Sequence, residues 1–477
     1  MKKQTIRPAI LYWFRQDLRL RDNPALAAAL AEARAQNAVL LPVYLWAPEE
    51  EGDWPAGAAA RWWLHQSLQA LEQSLQARGS RLLLYHGGLE RLLAQWRSSL
   101  AVLAVYCNER YEPAARSREL ELRQYLRQAG IAFQSYASAT LWKPGSLRTQ
   151  AGQPFRVFTP FWRLACTQGV TPEAVLPKGR WPAPVRWPPS SPLRDLHLEP
   201  RPDWAQGLRE TWKPGEAGGQ AALRRFLRNG IHSYAQGREL PGQRGTSRLS
   251  PYLHFGEVSA ASVWRAVMQS EPGRIAAAQP CLRQLAWRDF ASHLLFHFPE
   301  TATQPLRPEF ARFPWRMRRE YWTAWRRGRT GYLLVDAGMR ELWHTGWMHN
   351  RVRMVTASFL VKHLLIPWQR GAEWFWDTLV DADLANNSLG WQWAAGCGAD
   401  AAPYFRIFNP MRQADRFDSK LQYIRRWVPE RVTESSAIYP PPIVEHDRAR
   451  ERALAAWATL REKLQNHAQH CSTMKGY

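Results

Sequence analysis

Two acids, two asparagines and two indoles crowd into residues 381–393, as Asp381, Asp383, Asn386, Asn387, Trp391 and Trp393. The small residues among them, Ala382, Ala385, Ser388 and Gly390, would let a backbone approach a flat ligand closely. A polar loop ending in a tryptophan-anchored helix would account for the same run. Asp381 and Asp383 could begin a metal site, but no third or fourth ligand is visible, so no metal is expected. A second segment, Gly346-Trp347-Met348-His349-Asn350-Arg351-Val352-Arg353-Met354, sets cations and an amide into what otherwise patterns as a buried helix. An unpaired buried charge is expensive, so these residues need partners. They read either as an internal ion pair with Asp381 or Asp383 or as the wall of a ligand site. A third segment, Gly245-Thr246-Ser247-Arg248-Leu249-Ser250-Pro251, offers N–H, hydroxyl and guanidinium donors to a phosphate. A turn followed by a helix N-cap would use Thr246 and Ser247 equally well.

The elements that must position these residues follow from periodicity. Residues 8–137 alternate apolar runs with helical patterns. Strands are predicted at 8–14, 38–45, 81–86, 101–107 and 131–137, and helices near 24–36, 57–78, 89–99 and 113–129. Leu64, Leu68, Leu71 and Leu75 mark one helix face. Five short apolar strands separated by helices imply a five-stranded parallel sheet covered on both faces. No GxGxxG follows the first strand, so ordinary dinucleotide binding is not supported there. Residues 138–215 look irregular, with ten prolines from Pro172 to Pro214. They read as a Pro-rich interdomain linker, extended over the surface. From 216 to 477 the pattern is helical, with helices predicted at 217–229, 257–269, 276–298, 318–328, 331–345, 348–365, 371–380 and 446–465. The fold class is therefore an α/β N-terminal domain (1–137) plus a large all-α domain (216–477).

Sixty-four Lys and Arg against 41 Asp and Glu give a net charge of +23, which attracts polyanions, nucleic acid first among them. The five cysteines, Cys107, Cys166, Cys281, Cys397 and Cys471, are scattered and form no CxxC. They read as free, mostly buried thiols of a reducing, cytoplasmic environment rather than as zinc or cluster ligands. No signal peptide and no membrane-length apolar run is visible. Most of the 26 tryptophans must be packing residues, but so many raise the question of electron transfer or base stacking.

In their order and spacing the three segments resemble the photolyase/cryptochrome flavoproteins. So do WFRQDLRLRDNPAL (13–26), FTPFWR (158–163), LAWRDF (285–290), GRTGYLLVDAGMREL (328–342) and DAAPYFRIFNP (400–410), which span nearly the whole chain. The closest likeness is to enzymes that split cyclobutane pyrimidine dimers. The resemblance implies a folded-over FAD in the helical domain, active as FADH⁻. It sets Tyr234, Thr246, Ser247, Arg248, Leu249, Ser250 and Arg288 around the diphosphate and ribose. Asn350, Arg353, Asp381, Asp383 and Asn387 would lie around the isoalloxazine and ribityl, with Asn387 toward N5. For a flipped-out dimer it implies a pocket of Trp287, Asn350, Met354 and Trp393, with Arg238, Arg351 and Arg406 as phosphate contacts. Trp391, Trp368 and Trp315 match the family's electron-hopping chain. A second, antenna chromophore is also implied. 5,10-Methenyltetrahydrofolate is the chemistry considered for it, though no residue of the N-terminal half singles it out.

One departure stands out. Many dimer-specific members carry Glu three residues before the Trp287-Arg288 pair, where this chain has Gln284. Gln can hydrogen-bond the dimer but cannot donate a carboxyl proton, so a lower quantum yield is expected. The expected partner is UV-damaged DNA, with no membrane, and the expected state is a monomer. Rival readings are a cryptochrome-type blue-light receptor, a (6-4) photolyase and a DNA-binding module without catalysis. Asn350 argues against the first, since plant-type sensors tend to have Asp there. The second leans on a His pair, of which His349-Asn350 supplies one. The third predicts a colourless protein.

Overall fold

The computed structural model describes residues 7–401, 403–431 and 439–473, the last eight in backbone only. The Cys471 side chain, Ala402 of the 400–410 run and the residues just before Tyr439 therefore lie outside what is described below. The chain packs as two compact units. The first comprises residues up to 155, 159–232 and 247–297; the second comprises 156–158, 233–246 and 298 onward.

The first unit is built on five strands, β1 (Arg7–Phe14), β2 (Val39–Trp46), β3 (Leu83–His86), β4 (Leu100–Asn108) and β5 (Ala132–Tyr136), in the order β3-β2-β1-β4-β5. All four pairings are parallel, with Ile10 opposite Leu40 on one side and Ala104 on the other. Four helices intervene: α1 (Pro24–Ala35), α2 (Ala58–Gln76), α3 (Leu89–Trp96) and α4 (Pro113–Gln128). Leu11, Leu41, Val43 and Val105 are fully buried, as a sheet covered on both faces requires. Every predicted strand and helix of this half is present within about three residues, close to the scatter expected of element ends.

The 138–215 stretch departs from expectation. It contains helices Phe158–Ala165 and Gln206–Thr211 and a short turn of helix at Leu193–Leu196. Its prolines had hidden these. The rest runs extended and pairs with the sheet. Leu40 donates to the Pro182 carbonyl, and Ser191 donates to Leu84 O on β3. The short edge strand is thereby covered, which removes a site for unwanted pairing.

The turn after β1 is locked by buried polar groups. Asn23 caps α1, accepting from Leu26 N, and Asn108 donates to Asp17 at 2.6 Å. Gly256, at φ +63°, lies against the backbone of Gln16 and Asp17, where a Cβ has no room. Glu257 accepts from Trp63 Nε1, Ser67 and Gly215 N, and burial pushes its carboxyl up to about 8. The 13–26 run is thus a structural lock.

Outside the first unit's strands, the regular secondary structure of the described residues is all helical. In the second unit the Leu333–Thr345 helix packs on Asn350–Ser358, which packs on Leu384–Ala395, which in turn packs on Trp368–Thr378, and the helix that begins at His446 packs on the turn Phe359–His363. That turn is a π-helical continuation of the Asn350 helix. Of the described cysteines, Cys107, Cys281 and Cys397 are buried and free, and Cys166 is free and exposed, in line with the expectation of mostly buried thiols.

Candidate functional site

The expected site residues fall in both units, and each unit holds its share on defined elements. In the second unit His349 caps the Asn350–Ser358 helix, its Nδ1 accepting from Arg351 N at 3.2 Å. Glu341 accepts from His349 N and from Tyr423 Oη, which fixes the start of that helix. Arg353 is thereby aimed across the packed helices. Its Nε donates to Met348 O, and one terminal nitrogen donates to both Asp381 oxygens, at 3.0 and 2.8 Å. The Asp381 side chain is only 3% exposed, so this ion pair is largely shielded from water. Asp381 is thus the partner of Arg353, while Arg351 pairs with Glu239 instead.

Asp383 caps the Leu384–Ala395 helix through Asn386 N, so the helix that one reading placed only at the end of a polar loop already begins at Leu384. Asn387, half-buried one turn further on, donates to Ala372 O at 3.0 Å. Asn350 is exposed at the first turn of its own helix. Tyr234 is buried on a short helix, and Arg238 lies over its ring at 5.7 Å. Gly245, next to Thr246, packs backbone to backbone against Gly237, so this glycine is needed for close approach within the protein.

One cavity of about 410 Å³ gathers four of the residues expected to meet DNA: Arg351, Met354, Trp393 and Arg406. Glu239, Phe408, Gln413, Arg416 and Phe417 complete its lining. Lys362, buried on the π-helical turn, holds the main chain there by donating to Arg406 O at 2.9 Å. Burial pushes its ammonium down to about 8. Asn409 caps the following helix, which brings Gln413, Arg416 and Phe417 to the cavity. Sequence reasoning missed Glu239, Lys362 and these three, because nothing local marks them.

Trp391 and Trp368 are buried, and Trp315 is half-buried. Gly371, on the Trp368–Thr378 helix, lies directly beneath the Trp391 ring. Arg316 N, next to Trp315, donates to Leu365 O near the start of that helix. A second series of rings had no sequence signal beyond the i, i+3 spacing of Trp322 and Trp325. Trp391 sits edge-on to Trp325 at 6.2 Å, Trp325 stacks on Trp322, Trp322 meets Trp374, and Trp374 stacks on Trp343, which is 63% exposed.

In the first unit Arg248 adopts φ +52°, a left-handed conformation that a non-glycine residue rarely takes. Its guanidinium lies over Trp212, Leu249 is buried behind it, and Leu249 N donates to Ser247 Oγ. Ser250 opens the short helix Ser250–His254. Gln284, Trp287 and Arg288 lie half-buried on the Pro272–His297 helix. Arg288 donates to Ala139 O and Leu253 O, so it braces the backbone of its own unit. Beside it Asp289 accepts from Leu141 N and Trp142 N, with its carboxyl pushed up to about 7 by burial. Among the described residues no group of three His, Cys, Asp or Glu could hold a metal ion.

Known proteins resemble the chain over nearly its whole length. Residues 10–178 match the family model for DNA photolyase, and residues 281–433 match that for the FAD binding domain of DNA photolyase. The deoxyribodipyrimidine photo-lyase of Agrobacterium fabrum is 43% identical over 95% of this chain and 98% of its own. Cryptochrome-2 of Arabidopsis thaliana is 37% identical over 97% of this chain and 80% of its own. A solved bacterial class III photolyase from Agrobacterium tumefaciens superposes with a TM-score of 0.89 at 41% identity, covering 97% of this chain and 99% of that one.

Proposed function

The chain belongs to the DNA photolyase family, and on that premise we propose that it is a deoxyribodipyrimidine photo-lyase, splitting cyclobutane pyrimidine dimers in UV-damaged DNA under blue light. The observation that carries this reading is the cavity in which Arg351 and Arg406 stand beside Met354 and Trp393. Cations at a rim with an aromatic and a thioether suit a nucleic-acid backbone outside and a flat, uncharged lesion within.

FAD is the cofactor. The donor set fits it: Arg353 offers a fixed cation to an anionic ring, and Asn387 and Asn350 offer amides from the two helices that pack together. When bound and reduced, FAD supplies the photoexcited electron that opens the cyclobutane ring and takes it back afterwards. The protein's own residues bind and orient. Asp381 and Met348 O keep Arg353 from turning away. Trp393 and Met354 exclude water and stack on the dimer, while Arg351 and Arg406 meet phosphates. Trp391, Trp368 and Trp315 pass electrons inward from the surface. Gln284 hydrogen-bonds the dimer without supplying a proton. A second chromophore, a folate of the methenyltetrahydrofolate type, would serve as antenna.

A division into an antenna domain (1–137), a linker (138–215) and a catalytic domain (216–477) is part of this reading, as are a monomeric state and a cytoplasmic location. No described helix is long and apolar enough to cross a membrane. The test uses two oligonucleotides under blue light, one carrying a cyclobutane thymine dimer and one a (6-4) product. Repair of the first alone is expected. Repair of the second alone would make the chain a (6-4) enzyme, and repair of neither by FAD-loaded protein would favour the receptor reading.

A further inference from the structure

Glu239 is out of place in a cavity meant for a polyanion. Its carboxylate pairs with two guanidiniums, those of Arg351 and, at 3.4 Å, Arg238. The paired side chains are 21% and 22% exposed for the arginines and 30% for Glu239, and Glu239 and Arg351 both line the cavity, so their pair stands in reach of a ligand. Arg351 is otherwise lightly held. It lies 4.4 Å over the Phe417 ring, its other terminal nitrogen touches Met354 Sδ at 3.8 Å, and its Nε has no partner among the described residues.

We propose that Glu239 is a positioning residue that sets the enzyme's discrimination between damaged and undamaged DNA; this rests on the repair reading above. Two consequences follow from one carboxylate facing two guanidiniums. The first is geometric. Arg351 is drawn sideways to Glu239 and flattened on Phe417, so its long side chain lies along the cavity wall beside Met354 instead of reaching into the cavity. An extruded dimer finds the cavity open. The second is electrostatic. The three groups together carry a single positive charge instead of two, which lowers the pull on any passing phosphate. Non-specific affinity comes almost wholly from such phosphate contacts, whereas an extruded dimer adds stacking inside the cavity. A carboxylate here therefore penalises undamaged DNA more than damaged DNA, a repulsive element of the kind specific binders use.

The test compares wild type, Glu239→Gln and Glu239→Asp as FAD-loaded full chains in the dark. Fluorescence anisotropy follows binding to one oligonucleotide with and without a thymine dimer. For Glu239→Gln the account expects tighter binding of the undamaged strand, weaker binding of the damaged one, and a preference reduced about tenfold. The salt dependence for undamaged DNA should steepen by about one phosphate equivalent. Glu239→Asp, which keeps the charge, should retain most of the preference. An unchanged preference in Glu239→Gln overturns the proposal. So does an equal loss on both strands with a lowered melting temperature, which would mark Glu239 as merely structural. If the wild type itself shows no preference for the dimer and no light-dependent repair, the repair reading fails and takes this proposal with it.

Discussion

That an arginine of the 346–354 segment would pair with Asp381 or Asp383 is readable from the amino-acid sequence, because an arginine in a buried helical pattern must find an acid; that Arg353 and Asp381 are the pair is not. The same logic fails for Glu239, whose partner lies 112 residues away and which carries no local mark. Nor can it choose among 26 tryptophans, since ring contact is a tertiary property. Asp381→Asn leaves the Arg353 charge without its counter-ion in a partly shielded place. The expected cost is about 2 kcal/mol in denaturant unfolding, less than for a fully buried pair because Arg353 is one-quarter exposed. The flavin absorbance retained through gel filtration should fall with it. Gln284 bears on the photochemistry: Gln284→Glu should raise the number of dimers repaired per absorbed photon, and an unchanged yield would remove Gln284 from the mechanism.

At the scale of elements, the sheet and its helices were legible because period and punctuation agree over each run. The Leu384–Ala395 helix was not. Asn386, Asn387 and Gly390 are weak helix formers, and the helix stands on its Asp383 cap and on packing against Trp368–Thr378. The π-helical turn at Phe359–His363 was likewise invisible, and the C-terminal helix docks there. His363 Nε2 and His446 Nδ1 are 2.9 Å apart, so one must be protonated and the other not for a hydrogen bond to form. Burial holds His363 down to about 3, helped by His446, Arg452 and Lys362, and burial also lowers His446. The folded state therefore resists a proton that the unfolded chain takes up in the ordinary histidine range. Stability is full above that range and declines as pH falls through it, on the order of 1 kcal/mol or more by pH 5. Melting temperature measured from pH 7.5 to 5 should drop in wild type and drop less in His363→Asn.

At the scale of the molecule, the charge of +23 and the cavity arginines make one prediction together. Affinity for undamaged DNA should fall linearly on a log–log plot against salt, with a slope equivalent to several phosphates. Affinity for dimer-containing DNA should fall less steeply in proportion, since part of it is stacking. A salt-independent affinity would mean that the basic surface serves something other than a nucleic-acid backbone. The two-unit packing, by contrast, was only partly legible, because proline-rich sequence conceals the short helices between Phe158 and Thr211. The most direct measurement is repair itself: photoreduced protein is bound in the dark to a thymine-dimer oligonucleotide, then exposed to blue light. The account predicts that ultraviolet absorbance of intact thymines returns with light and not in darkness. A yellow, DNA-binding protein that returns none would contradict it.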